Sequence, residues 1–289
     1  FGSQVTKLIA RRLRELNVYC EIHPFNKVND EFLKKNNPNA IILSGGPASV
    51  LNDNAPKPPL GIYDLEIPIL GICYGQQIMM QTLGGSVISG FGTSEFGKSF
   101  VKINNKSKTI KLLEGLFLKE GKEEVWMSHG DRVATIPKDF DVYGISENAP
   151  FAIIGNVKKH FYGVQFHPEV FHTLNGKVLI KNFLKLSNFS FNWSMKSYLQ
   201  QTIKEIQKKI GRKKVICALS GGVDSSVTAI LINKAIGSQL TCIYVNNGLM
   251  RKNESEEVIK LYTDHFKLHL IEANEQQLFL SNLEAVIDP

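Results

Sequence analysis

Gly71-Ile72-Cys73-Tyr74-Gly75 places a cysteine between two glycines, where an apolar run gives way to a helical pattern. This is the spacing of a nucleophile elbow with Cys in place of Ser. The glycines let the backbone turn sharply, and the turn pushes the sulfur out above a sheet edge. An ordinary thiol is only a few per cent ionised at pH 7, so acyl-transfer chemistry also needs a base. Phe166-His167-Pro168-Glu169 supplies one. Residues two apart on an extended segment share a face, so His167 and Glu169 stand side by side. Glu169 can hold one imidazole nitrogen while the other faces the thiol. General acid–base help of this kind is worth roughly 10²–10⁴-fold. Taken singly, each motif is ordinary: a buried strand-end Cys, or a surface His with an acidic neighbour. Together they form a Cys-His-Glu triad candidate. Ser44-Gly45-Gly46-Pro47 ends another apolar run and can turn amide N–H groups toward the cysteine, with the Tyr74 amide as a second donor. One such donor to an oxyanion is worth roughly 2.7–4 kcal/mol.

A different chemistry is offered by Ser220-Gly221-Gly222-Val223-Asp224-Ser225-Ser226. The apolar run Val215–Leu219 precedes it, and a helical pattern over 225–236 follows. In that setting glycines let backbone N–H groups approach an anion, and the three serines add hydroxyl donors at a helix N-terminus. Asp224 points to Mg²⁺, because a bare carboxylate would repel phosphate. The loop has no lysine and is not a Walker A loop. A literal Walker A match does occur at Gly92–Ser99, but a strand and a turn (Phe100–Ile103, then Asn104–Ser107) follow where a helix is required. Glu95 would also sit in the cradle, so the match reads as coincidence.

These groups need elements to carry them. Val5, Leu8, Ile9, Leu13 and Leu16 recur at helical spacing, and Val18, Cys20 and Ile22 alternate like a strand. Ala40–Leu43 and Ile67–Ile72 read as buried parallel strands, with a helix from Gly75 to Leu83. Strands are expected at Val125–Met127, Phe151–Val157 and Phe161–Phe166, then a helix over Leu174–Leu186. Residues 188–198 read as a linker rich in Ser and Asn. A helix over 196–210, the loop described above, and strands at Thr241–Val245 and Leu268–Ala273 follow. The alternation predicts an α/β fold: a doubly wound, mostly parallel sheet over 1–187, then a second, truncated α/β unit over 199–289.

The chain has 289 residues, 43% hydrophobic and 21% charged, which excludes a wholly disordered protein. No run reaches the roughly 18 apolar residues of a membrane span. The N-terminal segment FGSQVTKLIARRLREL has no apolar signal core, so neither a secreted nor a membrane product is expected. The net charge of +7 permits a polyanionic partner without requiring one. Its densest cluster, Lys208, Lys209, Arg212, Lys213 and Lys214, closes a helix and reads as a solvated face. The four cysteines form no CxxC pair, and Cys20, Cys217 and Cys242 read as core residues.

GGP at 45–47, G-x-C-x-G-Q-Q at 71–77, M-S-H-G-D at 127–131 and F-H-P-E at 166–169 occur in that order. Over residues 1 to about 187 they resemble the class I, triad-type glutamine amidotransferases. The resemblance implies a flavodoxin-like glutaminase domain in which Cys73 attacks the glutamine side-chain amide, ammonia leaves and water cleaves the thioester. It also implies an oxyanion hole from the Gly46 and Tyr74 amides, and contacts to glutamine from Gln77 and Asp131. His129 is expected in the turn rather than as a base. Members carry a hydrophobic strand before FGSQ that this chain lacks. The heptad 220–226 resembles the PP-loop of ATP pyrophosphatases, which cleave ATP to AMP and pyrophosphate. Asn246–Glu254 resembles a further segment of that family, with Asn246 where many members have Asp.

The two halves together resemble the glutamine-hydrolysing GMP synthase family. That resemblance implies glutamine, ATP and xanthosine monophosphate as substrates, Mg²⁺ as cofactor and a cytoplasmic location. It implies no nucleic-acid or membrane partner, and homodimers formed through a region beyond Pro289. On this basis the chain is expected to hydrolyse glutamine but not to make GMP. Two rivals stay open: a PP-loop RNA-modifying enzyme, and a module that binds glutamine or ATP without turnover.

Overall fold

The computed structural model describes residues 1–104, 110–117 and 121–286. Residues 105–107 of the expected turn and the last three residues of the second α/β unit lie outside that set. The chain divides into two compact units, Phe1–Ser194 and Met195–Pro289. In chain order the first unit holds α1 (Thr6–Glu15), α2 (Asp30–Asn36), β1 (Ile41–Leu43), β2 (Ile69–Ile72), α3 (Tyr74–Thr82), β3 (Ser86–Ser89) and β4 (Glu95–Ile103). It continues with β5 (Lys122–His129), β6 (Asp131–Thr135), β7 (Asp141–Ile145), β8 (Ile153–Asn156), β9 (Phe161–Val164) and α4 (Gly176–Leu186).

Among the described residues, seven strands form one sheet in the order β1-β2-β9-β8-β7-β4-β5. The end made of β1, β2 and β9 is parallel, and the remaining neighbours are antiparallel. β3 and β6 form a separate antiparallel pair. The parallel strands are apolar throughout because helices cover both faces. Leu70 and Ile72 of β2 pack with Ile9, Leu13, Leu179 and Phe183 from α1 and α4. Ile69 points the other way, to Leu33 of α2 and to Ile78 and Met79 of α3. Burying each such side chain is worth roughly 1.5–3 kcal/mol. Open α/β sheets place their sites beyond the carboxyl ends of the strands. Here those ends lead into Ser44–Gly46, Cys73 and Gln165–Glu169.

The expected strand at Val18–Ile22 does not form. A strand exists only as part of a ladder, and no described strand lies alongside this segment. Val18 and Cys20 still pack against the α1 side of the core. The Walker-like residues run straight into β4, which pairs antiparallel with β5, and Lys98 meets Glu124 at 2.7 Å. A strand, not the start of a phosphate-binding helix, holds the Gly-Lys-Ser of that pattern.

The second unit holds α5 (Met195–Ile210), β10 (Val215–Leu219), α6 (Val223–Ile236), β11 (Leu240–Asn246), α7 (Glu254–Lys260), β12 (Leu270–Asn274) and α8 (Gln276–Asn282). Its strands are parallel in the order β10-β11-β12. Leu219, Ala229, Leu240, Cys242, Tyr244 and Tyr262 form its core. Lys208 and Lys209 occupy the last turn of α5, where cations suit the helix dipole.

Candidate active site

Cys73 stands between β2 and α3 with φ 51° and ψ −109°. A non-glycine residue there costs of order 1–3 kcal/mol and persists only where its surroundings enforce it. They do. The Cys73 N–H donates to the Val164 carbonyl at 2.8 Å, and the Cys73 carbonyl accepts from Gln76 and Gln77 N–H at 3.0 and 3.1 Å. A Cβ on Gly71 would lie 2.7 Å from the Gln76 backbone, and one on Gly75 would lie 2.0 Å from the Leu43 carbonyl oxygen. Only glycines let α3 leave β2 at this angle against β1.

Cys73 is buried, 5% exposed. Its sulfur lies 3.5 Å from the Ser128 carbonyl oxygen and 3.7 Å from Gln165 Nε2. The Cys73 sulfur stabilises the charged form of His167 on one side. On the other, His167 Nδ1 lies 2.8 Å from Glu169 Oε1. The imidazole is held through its backbone as well: its N–H donates to the Trp126 carbonyl at 3.0 Å, and its carbonyl accepts from the Thr173 hydroxyl at 2.6 Å. Glu169 is fully buried, and its second carboxylate oxygen has no hydrogen-bond partner among the described residues. Burial opposes the imidazolium, but the hydrogen bonds to Cys73 and Glu169 outweigh it and raise the His167 pKa to about 10. Burial raises the thiol pKa of Cys20, Cys217 and Cys242, which places these three away from nucleophile chemistry.

The Gly45–Gly46 turn passes directly over this pair. A Cβ on Gly45 would lie 3.0 Å from His167 Cε1 and 3.8 Å from the Cys73 Cβ. The Tyr74 N–H belongs to the first turn of α3, where no helical carbonyl can accept it. Of the segments named for an oxyanion hole, Tyr74 adjoins the cysteine directly and the glycine turn approaches it through Gly45, whereas a Cβ on Gly46 would meet the Phe1 carbonyl oxygen at 2.6 Å. Gln77 is buried, and its Nε2 donates to the Asp131 carbonyl at 2.7 Å and to Gln165 Oε1 at 3.3 Å. Its amide donors serve the protein scaffold, and Asp131 joins that scaffold through its backbone.

Two groups escaped the sequence analysis. Gln165 shares the parity of 167 and 169 along the extended segment, and that was its only signal. The other is a buried cluster around Glu95. His129 Nε2 lies 3.2 Å from its carboxylate, and the hydroxyls of Ser99 and Ser146 donate to it at 2.9 and 2.7 Å. Burial pushes the Glu95 carboxyl pKa up, but hydrogen bonds from His129, Ser146 and Ser99 hold it below the ordinary value. His129 thus closes β5 as a buried partner of Glu95, while its Nδ1 meets the Asp131 carbonyl at 3.0 Å. It ends a strand rather than sitting in the turn, directly after Ser128, whose carbonyl faces the sulfur.

In the second unit, Ser220–Gly222 link β10 to α6, and Val223–Ser226 form the first turn of α6. Gly221 has φ +78°. Ser220 and Ser225 hydroxyls lie 3.1 Å apart, the Gly222 N–H donates to Ser220 Oγ at 3.3 Å, and Ser226 bonds with the Tyr262 hydroxyl. Asp224 is exposed in the first helical turn. Among the described residues no three His, Cys, Asp or Glu cluster as a metal site. A single exposed carboxylate suits Mg²⁺ that arrives with its phosphates, since that ion is usually held by one or two carboxylates plus phosphate oxygens. Asn246 Oδ1 accepts from the Gly248 N–H at 3.2 Å and so shapes a turn.

The family model described as "Glutamine amidotransferase class-I" matches residues 1–186, and one described as "NAD synthase" matches residues 195–283. The chain belongs to the class I glutamine amidotransferases. It is 57% identical over 289 residues to a protein of Dinoroseobacter shibae named GMP synthase [glutamine-hydrolyzing]. It is 53% identical over 290 residues to a protein of the same name in Bartonella henselae. Both alignments take in all of this chain and 55% of the relative, so the chain spans about half the length of these relatives. The crystal structure of a Thermoplasma acidophilum protein, provisionally described as a GMP synthase subunit, superposes with TM-score 0.54 at 29% identity, over 72% of this chain and 94% of that one. Among the described residues no helix is long and apolar enough to cross a membrane.

Proposed function

We propose that Cys73, His167 and Glu169 hydrolyse glutamine, and that the released ammonia serves an ATP-dependent synthesis of GMP from xanthosine monophosphate. The observation that carries this proposal is a strained cysteine elbow beside a buried imidazole–carboxylate pair at 2.8 Å, under a glycine turn. The Cys73 thiolate attacks the side-chain amide carbon of glutamine. The Gly46 and Tyr74 N–H groups take the developing oxyanion charge. His167 gives its proton to the departing nitrogen, and ammonia leaves with the C–N bond. Water then attacks the thioester, His167 takes the water's proton, and the C–S bond breaks to give glutamate. Glu169 keeps the imidazole oriented and stabilises its charged form. Gln77 and Asp131 shape the wall that receives glutamine.

In the second unit the heptad 220–226 binds ATP, with glycine N–H groups and serine hydroxyls facing the phosphates. Asp224 would hold Mg²⁺, which supplies charge neutralisation on the polyphosphate. Adenylation of xanthosine monophosphate releases pyrophosphate, and ammonia then displaces AMP. The names of the relatives support this second half, as does the pairing of a glutaminase with a PP-loop unit. A cytoplasmic homodimer is the form we propose for the whole protein.

The test is ammonia release from glutamine by the chain and by Cys73→Ala. The wild type is expected to release ammonia and the variant to lose the activity; equal release from both would reject the mechanism. GMP formation from xanthosine monophosphate, ATP and glutamine, in a chain as long as the relatives, tests the second half.

A further inference from the structure

A thiolate formed beneath a carbonyl needs a donor. Ser128 presents its carbonyl oxygen 3.5 Å from Cys73 Sγ, an arrangement that suits the neutral S–H and repels the anion. The side-chain amide nitrogen of Gln165, 3.7 Å from the sulfur, has the opposite character. Its orientation follows from a short relay. The Asp131 carbonyl can only accept, so the arm of Gln77 that faces it at 2.7 Å must be NH₂. That same nitrogen reaches Gln165 at 3.3 Å, so the arm of Gln165 facing it must be the oxygen. The remaining arm, aimed at the sulfur, is therefore NH₂. Gln165 is 1% exposed, and its backbone N–H is tied to the Ala152 carbonyl at 2.9 Å, so the side chain has little freedom to turn away.

We propose that Gln165 is the side-chain donor that stabilises the Cys73 thiolate, and that Gln77 is a positioning residue that holds Gln165 in the donating orientation. This rests on the assignment of Cys73 as nucleophile. In the neutral thiol the S–H points to the Ser128 carbonyl. In the thiolate that pairs with the His167 imidazolium, the sulfur exchanges that acceptor for the Gln165 N–H. Hydrogen bonds to an ionised partner are about twice as strong as neutral ones, so the contact favours the charged state.

The experiment follows alkylation of Cys73 by iodoacetamide as a function of pH, read on the Cys73 peptide by mass spectrometry. Gln165→Met keeps length and removes the N–H. Its alkylation midpoint is expected to rise by about one pH unit, a roughly tenfold loss of thiolate below the midpoint. Gln165→Glu keeps shape and replaces the donor with a carboxylate, and its midpoint is expected to rise further. It decides the matter if the Met variant does not fold. Gln77→Met is expected to shift the midpoint upward by less. A folded Gln165 variant with an unchanged midpoint overturns the proposal, since a merely structural role would alter the melting temperature and leave the midpoint in place. A wild-type chain that releases no ammonia would instead sink the glutaminase assignment, and the alkylation midpoints would still decide Gln165.

Discussion

At the scale of single residues, the candidate site spends backbone energy to expose one atom. Cys73 holds a positive φ because Val164, Gln76 and Gln77 bond its backbone and two glycines leave no room for an alternative. His167 is then the group through which protons pass. His167→Asn is expected to lower kcat for ammonia release by about 10²–10⁴-fold with little change in KM, because the imidazole moves protons and is not the group that anchors glutamine. Steady-state kinetics check this, and an unchanged kcat would remove His167 from the mechanism. The cysteine elbow and the His-Pro-Glu run were legible in the sequence because each is a contiguous motif. Gln165 and the Glu95–His129 pair were not. Glu95 and His129 meet only through the β4–β5 register, and Gln165 makes its contacts with residues far along the chain.

At the scale of elements, α3 is seated so close to β1 that Gly75 has no substitute. Gly75→Ala would drive a Cβ to within 2.0 Å of the Leu43 carbonyl oxygen, a backbone atom that cannot step aside alone. A loss of about 1–3 kcal/mol or more is expected, with a lower melting temperature. Gly130→Ala is the control: its added Cβ meets no atom within 4 Å and its φ is not positive, so the melting temperature should hold. Equal melting curves for the two variants would contradict the packing described. Most elements followed from periodicity, because burial on one face or both writes itself into residue order. The segment Val18–Ile22 failed because alternation reports a side-chain pattern, whereas a strand also needs a neighbour. Gly92–Ser99 carried a phosphate-loop pattern, yet cross-strand pairing with β5 fixes it as a strand.

At the scale of the whole molecule, the buried His167 charge links folding to pH. Its pKa stands at about 10 in the folded protein against an ordinary 6.5, so the folded state keeps a proton that the unfolded chain releases above 6.5. Its contribution to stability is complete below that value and is lost as pH rises through about 10. Urea midpoints of the wild type and of His167→Gln should therefore converge between neutral and alkaline pH. A gap that stays constant or widens would contradict the assigned charge state.

The sequence on its own determined the available chemistry: a thiol on a sharp turn, an imidazole beside a carboxylate, glycine turns, and a second loop suited to phosphate. These are local properties, written in residue types and short spacings. The tertiary structure alone decided which groups meet. β2 and β9 lie side by side in parallel with Ile72 opposite Val164, so the residues that follow each strand emerge together at one sheet edge. Distance along the chain carries no record of that pairing, because it is set by the packing of helices against both faces of the sheet.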